Sequence, residues 1–149
     1  MSFTILLPVD GSDCSEHAAR CSERAARHVA HIASMVQGLR VHIVNVQPLG
    51  DDWMVRRMIK AEELATLEQA WGDAAIAPTR AILAAAGVAC ADHMVQGDVA
   101  QTIARLAEEL ACDQIIMGTQ GRTSLGSVLL GSVATKVLHL SSVPVTLVK

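Results

Sequence analysis

Residues 113–132 read D-Q-I-I-M-G-T-Q-G-R-T-S-L-G-S-V-L-L-G-S. Asp113 to Met117 is a short apolar run of strand length. Residues 132–140 (S-V-A-T-K-V-L-H-L) carry helical spacing. Between them lie Gly118, Gly121 and Gly131, with Ser132 directly after the last. Glycine lets backbone N–H groups approach an anion closely. The first N–H groups of a helix have no partner within it and point outward. The stretch therefore predicts a strand, a glycine-rich bend and a helix, with phosphate held at the bend. No Gly-Lys-Ser/Thr occurs and G-x-G-x-x-G is absent, so neither a Walker loop nor a dinucleotide fingerprint is present. The plain alternative is a turn-rich loop leading into a packed helix.

The rest of the chain repeats the same alternation. Residues 3–9 form a short apolar run closing on Pro8-Val-Asp-Gly-Ser12, a strand buried on both faces. Ser12 or Asp13 can cap the next helix, with Glu16 in the capping-box position. That helix shows Ala18, Ser22, Ala25, Val29, Ile32 and Val36 on one face and stops at Gly38. Residues 41–46 (V-H-I-V-N-V) are a second strand, broken by Pro48 and Gly50. From residue 51 the spacing is helical, with Leu64, Leu67 and Trp71 on one stripe. Gly72 and Pro78 predict two pieces or one bent helix as far as Ala86, stopped by Gly87. Residues 88–95 are a more polar strand, expected nearer an edge. Asp98 caps the next helix with Gln101 three residues on, turning Ile103, Leu106, Ala107 and Leu110 inward. Val143–Val148 is a fifth strand. The β-α alternation implies an α/β fold: an open five-stranded parallel sheet with helices on both faces, Rossmann-like, in a single domain over residues 1–149. In such sheets ligands sit beyond the carboxyl ends of the strands, where strand order reverses. Asp10, Val46 and Gly118 each follow or end a strand there.

Composition narrows the chemistry. The hydrophobic fraction is 51%, the charged fraction 18% and the net charge −3. Phe3, Trp53 and Trp71 are the only aromatics. Few stacking rings and no basic excess argue against nucleic acid as a partner. No apolar run reaches the length of a membrane span and no signal-peptide pattern opens the chain, so membrane association is not expected and the cytoplasm is. Cys14, Cys21, Cys90 and Cys112 have no C-x-x-C spacing and read as free thiols. His17, His28 and His31 share a helix with no complementing ligands, so they read as solvent-facing and not as a metal site. His42 and His93 lie in strands and are expected to pack or hydrogen-bond locally. His139, near the last helix's end, suits that end's negative potential. Trp53, Trp71, Met54 and Met58 are expected in the core, with a partner-binding surface as the alternative. No paired carboxylates, Ser-His-Asp set or activated cysteine is apparent.

Ile5 to Ser12 (I-L-L-P-V-D-G-S), the Gly118–Ser132 region and the terminal V-P-V-T-L-V together resemble the universal stress protein family over the full chain. The glycines fit G-x2-G-x9-G-[ST], the pattern of its ATP-binding members. The resemblance implies an adenine nucleotide alpha hydrolase-like fold and a nucleotide-dependent stress response or signalling role. ATP, or ADP or AMP, would be the ligand, with Mg2+ or Mn2+ held through its phosphates. It implies that Asp10 contacts ribose or adenine beside the Pro8 backbone, and that Val46 offers backbone groups to the adenine edge. Met117 and Gly118 would line base and ribose. Thr119, Gly121, Arg122, Thr123 and Ser124 would wrap the phosphates, and Gly131, Ser132, Val133 and Ala134 would bind them from the helix N-terminus. It also implies a homodimer through Val143–Val148. Gln120 and Asn45 stand where many members have histidine. Asp10 has an alternative as a helix cap, and Arg122 as a solvated side chain. A stress protein that binds no nucleotide, or a slow ATPase, are the rival functions.

Overall fold

The computed structural model describes residues 2–10, 16–48, 57–119 and 130–149, with residues 16–20 in their backbone alone. Five strands and four helices alternate through them: β1 (Thr4–Pro8), α1 (Glu16–Met35), β2 (Arg40–Gln47), α2 (Ala61–Ala85), β3 (Cys90–Gln96), α3 (Val99–Glu109), β4 (Gln114–Gly118), α4 (Ser132–Leu140) and β5 (Val145–Val148). All ladders are parallel and the sheet order is β3-β2-β1-β4-β5. β3 is therefore an edge, as its polarity predicted, and β5 is the other.

Period-two alternation divides each inner strand between two cores. Ile5, Leu7, Val41, Ile43 and Ile116 pack with Ala25, Val29, Ile76 and Leu83 of α1 and α2 on one face. Leu6, Val44, Val46, Ile115 and Met117 pack with Ile103, Leu106, Ala107, Ala134 and Val137 of α3 and α4 on the other. Asp113 fastens β1 to β4 where both begin: its carboxylate accepts from Thr4 N–H at 2.8 Å and its N–H donates to Thr4 C=O at 2.8 Å.

α2 runs through both Gly72 and Pro78 as one helix, and its buried face is not the expected one. Gly72, Ile76, Thr79 and Leu83 are buried, whereas Leu67, Trp71 and Met58 are 39%, 59% and 85% exposed. The core placement of Trp71 and Met58 is thus corrected. The cause is Gly72: a Cβ there would stand 2.3 Å from the Met94 sulfur. The missing side chain lets the helix settle on the sheet at Gly72, which turns Trp71, one position earlier, outward. Trp53, Met54 and the expected Ser12 or Asp13 cap lie outside the described residues.

The α3 cap, the helix-stop glycines and the strand histidines match their expectations. Asp98 accepts from Gln101 N–H at 3.0 Å as the N-cap of α3. Gly38 and Gly87 follow their helices with φ of 77° and 70°, the left-handed conformation that glycine tolerates. His42 Nδ1 and His93 Nε2 are 2.9 Å apart. Cys21, Cys90 and Cys112 are free. No helix among the described residues is long and apolar enough to cross a membrane.

Candidate functional site

From β1 the strand order proceeds through β2 to β3 on one side of the sheet, and from β4 to β5 on the other. The reversal between β1 and β4 leaves the connections leaving those strands on opposite faces, and a crevice opens at their carboxyl ends. Counting its mouth, it holds about 810 Å³ of empty space. Ten residues expected from the sequence line it: Pro8, Asp10, Val46, Met117, Gly118, Thr119, Gly131, Ser132, Val133 and Ala134. Gly121, Arg122, Thr123 and Ser124 lie outside the described residues.

The crevice has two dissimilar ends. Val44, Val46, Val99, Ile103 and Met117 form an apolar wall. Val99 and Ile103 are one turn apart at the start of α3, and Val44 alternates with Val46 on the same face of β2. These three, with Val9, Ser22 and Pro48, were not expected as lining residues. The four-residue spacing in α3 and the two-residue spacing in β2 could have found three of them, since Ile103 and the strand were read as core.

The opposite end is built from backbone. Thr119, 5% exposed, donates its N–H to Val148 C=O at 3.0 Å and accepts from Gly131 N–H at 2.7 Å. β5, the end of β4 and the start of α4 are thereby tied together. Gly131 is the N-cap and has no side chain to cap with. The next three amides, of Ser132, Val133 and Ala134, precede the first residue whose N–H finds an acceptor in the helix: Thr135 N–H donates to Gly131 C=O at 3.0 Å. All three residues line the crevice. The positive end of α4 is thus turned on the cavity without an acidic cap.

Gly118 lines the same crevice, but its missing side chain serves the other face. A Cβ there would meet Cys21 Cβ at 3.0 Å and Cys21 carbonyl carbon at 3.3 Å. The glycine lets α1 lie against β4.

Neither thiol with a displaced pKa is poised for nucleophilic chemistry. Burial, with Asp113 nearby, pushes the Cys112 thiol up to about 11, and burial raises Cys90 as well. Among the described residues no group of three or more His, Cys, Asp or Glu is placed to hold a metal ion.

The chain matches the universal stress protein family over residues 1–149. A universal stress protein of Methanocaldococcus jannaschii is 31% identical, covering 97% of this chain and 81% of its own. One from Thermus aquaticus is 32% identical with both chains covered in full (100%). Among solved structures, that of MJ0577, a second M. jannaschii protein, superposes with a TM-score of 0.79 at 29% identity, covering 100% and 96% of the two chains. Two that share the fold contain ligands. The Archaeoglobus fulgidus universal stress protein is in complex with dAMP (TM-score 0.66, 21% identity, 100% and 98% covered). An Arabidopsis thaliana family protein has AMP bound (TM-score 0.67, 15% identity, 99% and 91% covered).

Proposed function

This chain belongs to the universal stress protein family, and we propose that it is a nucleotide-binding member that holds ATP, ADP or AMP in the crevice between β1 and β4. The observation that carries this reading is the uncapped N-terminus of α4, whose Ser132, Val133 and Ala134 amides stand at one end of a cavity with an apolar wall at the other. Backbone donors and a helix dipole suit phosphate. Aliphatic walls suit a base in a protein with so few aromatic rings. Asp10, at the exit of β1, stands between the two ends and accepts from ribose hydroxyls. Gly121, Arg122, Thr123 and Ser124, outside the described residues, are proposed as further phosphate contacts on the family resemblance. The dAMP and AMP complexes of proteins with this fold support the ligand class. Mg2+ or Mn2+ arrives with the phosphates, whose oxygens and water complete its shell.

The role that follows is that of a nucleotide-dependent stress-response module, not a dedicated enzyme, with hydrolysis slow if it occurs. Titration calorimetry with ATP tests the binding. Saturable heat with one nucleotide per chain is expected, and its absence at millimolar ATP would refute the reading. Mass spectrometry of the natively purified protein identifies a retained adenine nucleotide directly.

A homodimer through Val143–Val148 is proposed alongside. β5 is an edge strand whose four residues are all half-buried, and an edge of this kind pairs readily with a second copy about a two-fold axis. Light scattering after size exclusion should give twice the chain mass, and a Leu147→Pro variant should lower it, because Pro144 and Val148 turn their C=O groups to β4 and the Leu147 N–H, of opposite parity, faces the free edge.

A further inference from the structure

We infer that Asn45 is a positioning residue that gives the crevice its preference for adenine, an inference that rests on the nucleotide-binding reading above. In a parallel ladder, alternate residues of a strand turn their N–H and C=O groups to the same neighbour. On β2, Val44 C=O accepts from Val9 N–H at 2.8 Å, toward β1, and Gln47 C=O accepts from Gly97 N–H at 3.0 Å, toward β3. Val46 has the parity of Val44, so both of its peptide groups face the β1 side. β1 itself ends at Pro8. Were the ladder to continue, Val46 N–H would donate to Val9 C=O.

Val9 C=O accepts from the side chain of Asn45 instead, at 3.1 Å. Only the amide NH2 of asparagine can face a carbonyl oxygen, so chemistry settles the orientation of the side chain. Asn45 is 6% exposed and leaves β2 on the face opposite Val46. Among the described residues the β1–β2 ladder goes no further than Val9 N–H to Val44 C=O. Asn45 therefore satisfies the last carbonyl of β1 from below. Among the described residues no β1 group takes the Val46 N–H or C=O, and the two lie side by side at the rim of the crevice that Val46 lines.

A donor and an acceptor from one residue match the edge of adenine, where N1 accepts and the N6 amino group donates. Hypoxanthine and guanine reverse both, with a protonated N1 and an O6 acceptor. An apolar residue at position 45 would leave Val9 C=O in need of a donor, and the Val46 N–H is the nearest backbone group of correct parity. The ladder would then close by one bond, and the adenine contact would be lost.

Calorimetry with ATP, ITP and tripolyphosphate on the wild type and on Asn45→Leu tests this. The wild type should prefer ATP over ITP by about tenfold or more, since two hydrogen bonds reverse. In Asn45→Leu the ATP affinity should fall about five- to tenfold, the ATP-to-ITP ratio should approach one, and the tripolyphosphate affinity should hold. An unchanged ratio, or an equal loss for all three ligands, would overturn the inference. Amide hydrogen exchange in the wild type needs no variant. The Val46 amide should exchange readily in the free protein and become protected by ATP, and protection already present without ligand would overturn the inference. Wild-type protein that binds no ATP refutes the nucleotide reading and this inference with it. Wild-type protein that binds ATP and ITP equally refutes this inference alone.

Discussion

Placing a carboxylate at the first position of α4 should move stability and binding in opposite directions. Ser132 is the first helical residue after the Gly131 cap, is exposed and lines the crevice. Ser132→Asp adds no buried volume. At pH 7 its negative charge meets the positive end of the helix dipole, a gain of about 0.3–1 kcal/mol. For a chain of this length that is a rise in melting temperature of roughly 1–4 °C. A phosphate held on the same amides would lie about 5 Å from the new charge. One pair of like charges at that distance costs roughly 0.8 kcal/mol in a water-like dielectric and about 3 kcal/mol at an effective value of 20. The expected loss of ATP affinity is thus about fivefold to a few hundredfold.

Ser132→Asn separates charge from shape, because it keeps the size of the aspartate and should bind within about twofold of wild type. Thermal unfolding without nucleotide and calorimetry with ATP read the two effects. The loss of affinity should shrink in 0.5 M salt, where charges more than a few ångströms apart are screened. A Ser132→Asp protein that is more stable and binds ATP as well as wild type would show that the helix end does not face the ligand. A less stable one would refute the account of the helix terminus.

Three further outcomes follow from the described geometry. α2 and α3 end in the same motif: Gly87 N–H to Ala84 C=O and Val88 N–H to Leu83 C=O in one, Ala111 N–H to Glu108 C=O and Cys112 N–H to Ala107 C=O in the other. The left-handed position holds glycine in α2 and alanine in α3, with φ of 70° and 49°, so urea unfolding should find Ala111→Gly more stable and Gly87→Ala less stable, each by about 1 kcal/mol; two changes of the same sign would contradict this. Gly118→Ala should cost about 1–3 kcal/mol by overpacking against Cys21, and a neutral effect in chemical denaturation would show that α1 can retreat freely. Burial first, then His93 and Arg40, hold the His42 pKa below its usual 6.5; the unfolded chain then binds the proton more readily, so this contribution to stability is present above pH 6.5 and falls as pH drops toward the folded-state pKa. His42→Gln should flatten that part of the stability–pH curve, and an unaltered slope would discount the histidine.

The parts of the fold written in local patterns were legible. α4 spans the residues read from the sequence, because Gly131 and the polar Ser132 mark its start and the spacing of Ala134 and Val137 its buried face. Asp98 and Gln101 announce the start of α3, and strand polarity placed β3 at an edge. What local patterns miss is set by contact across the fold. Gly72 reads as a breaker in isolation, yet it is the point where α2 touches Met94, and that contact overrides the Leu64-Leu67-Trp71 stripe. Ala111 takes a glycine's conformation with nothing in the sequence to announce it, because β4 must begin at once beneath α3. Of the ten crevice residues, strand ends and the spaced glycine pattern marked Asp10, Val46, Gly118, Gly131 and Ser132, while Pro8, Met117, Thr119, Val133 and Ala134 came from the family resemblance. Val99 and Ile103 were overlooked as lining because a helix face packed on a sheet and a helix face bordering a cavity have the same periodicity.

Among the described residues two helix N-termini, those of α3 and α4, open on the crevice, and the difference between them orients whatever binds. At α3 the Asp98 carboxylate already accepts from the Gln101 amide, so the dipole there is answered by a fixed negative charge, and the residues that follow toward the cavity, Val99 and Ile103, are apolar. At α4 the cap is Gly131, which brings no acceptor. A ligand with an anionic end and an apolar end therefore has one favourable direction: its charge toward α4, its uncharged ring toward α3 and β2. An anion placed the other way would meet Asp98 and lose its solvation against valine and isoleucine. Polarity of this kind needs no positive side chain, so a net charge of −3 is compatible with the proposed polyphosphate ligand. It also explains why the selective element sits where it does. In the proposed complex, with the phosphate end at α4, the far end of the ligand would reach the exit of β2, and the peptide groups that Asn45 leaves open there would meet the base.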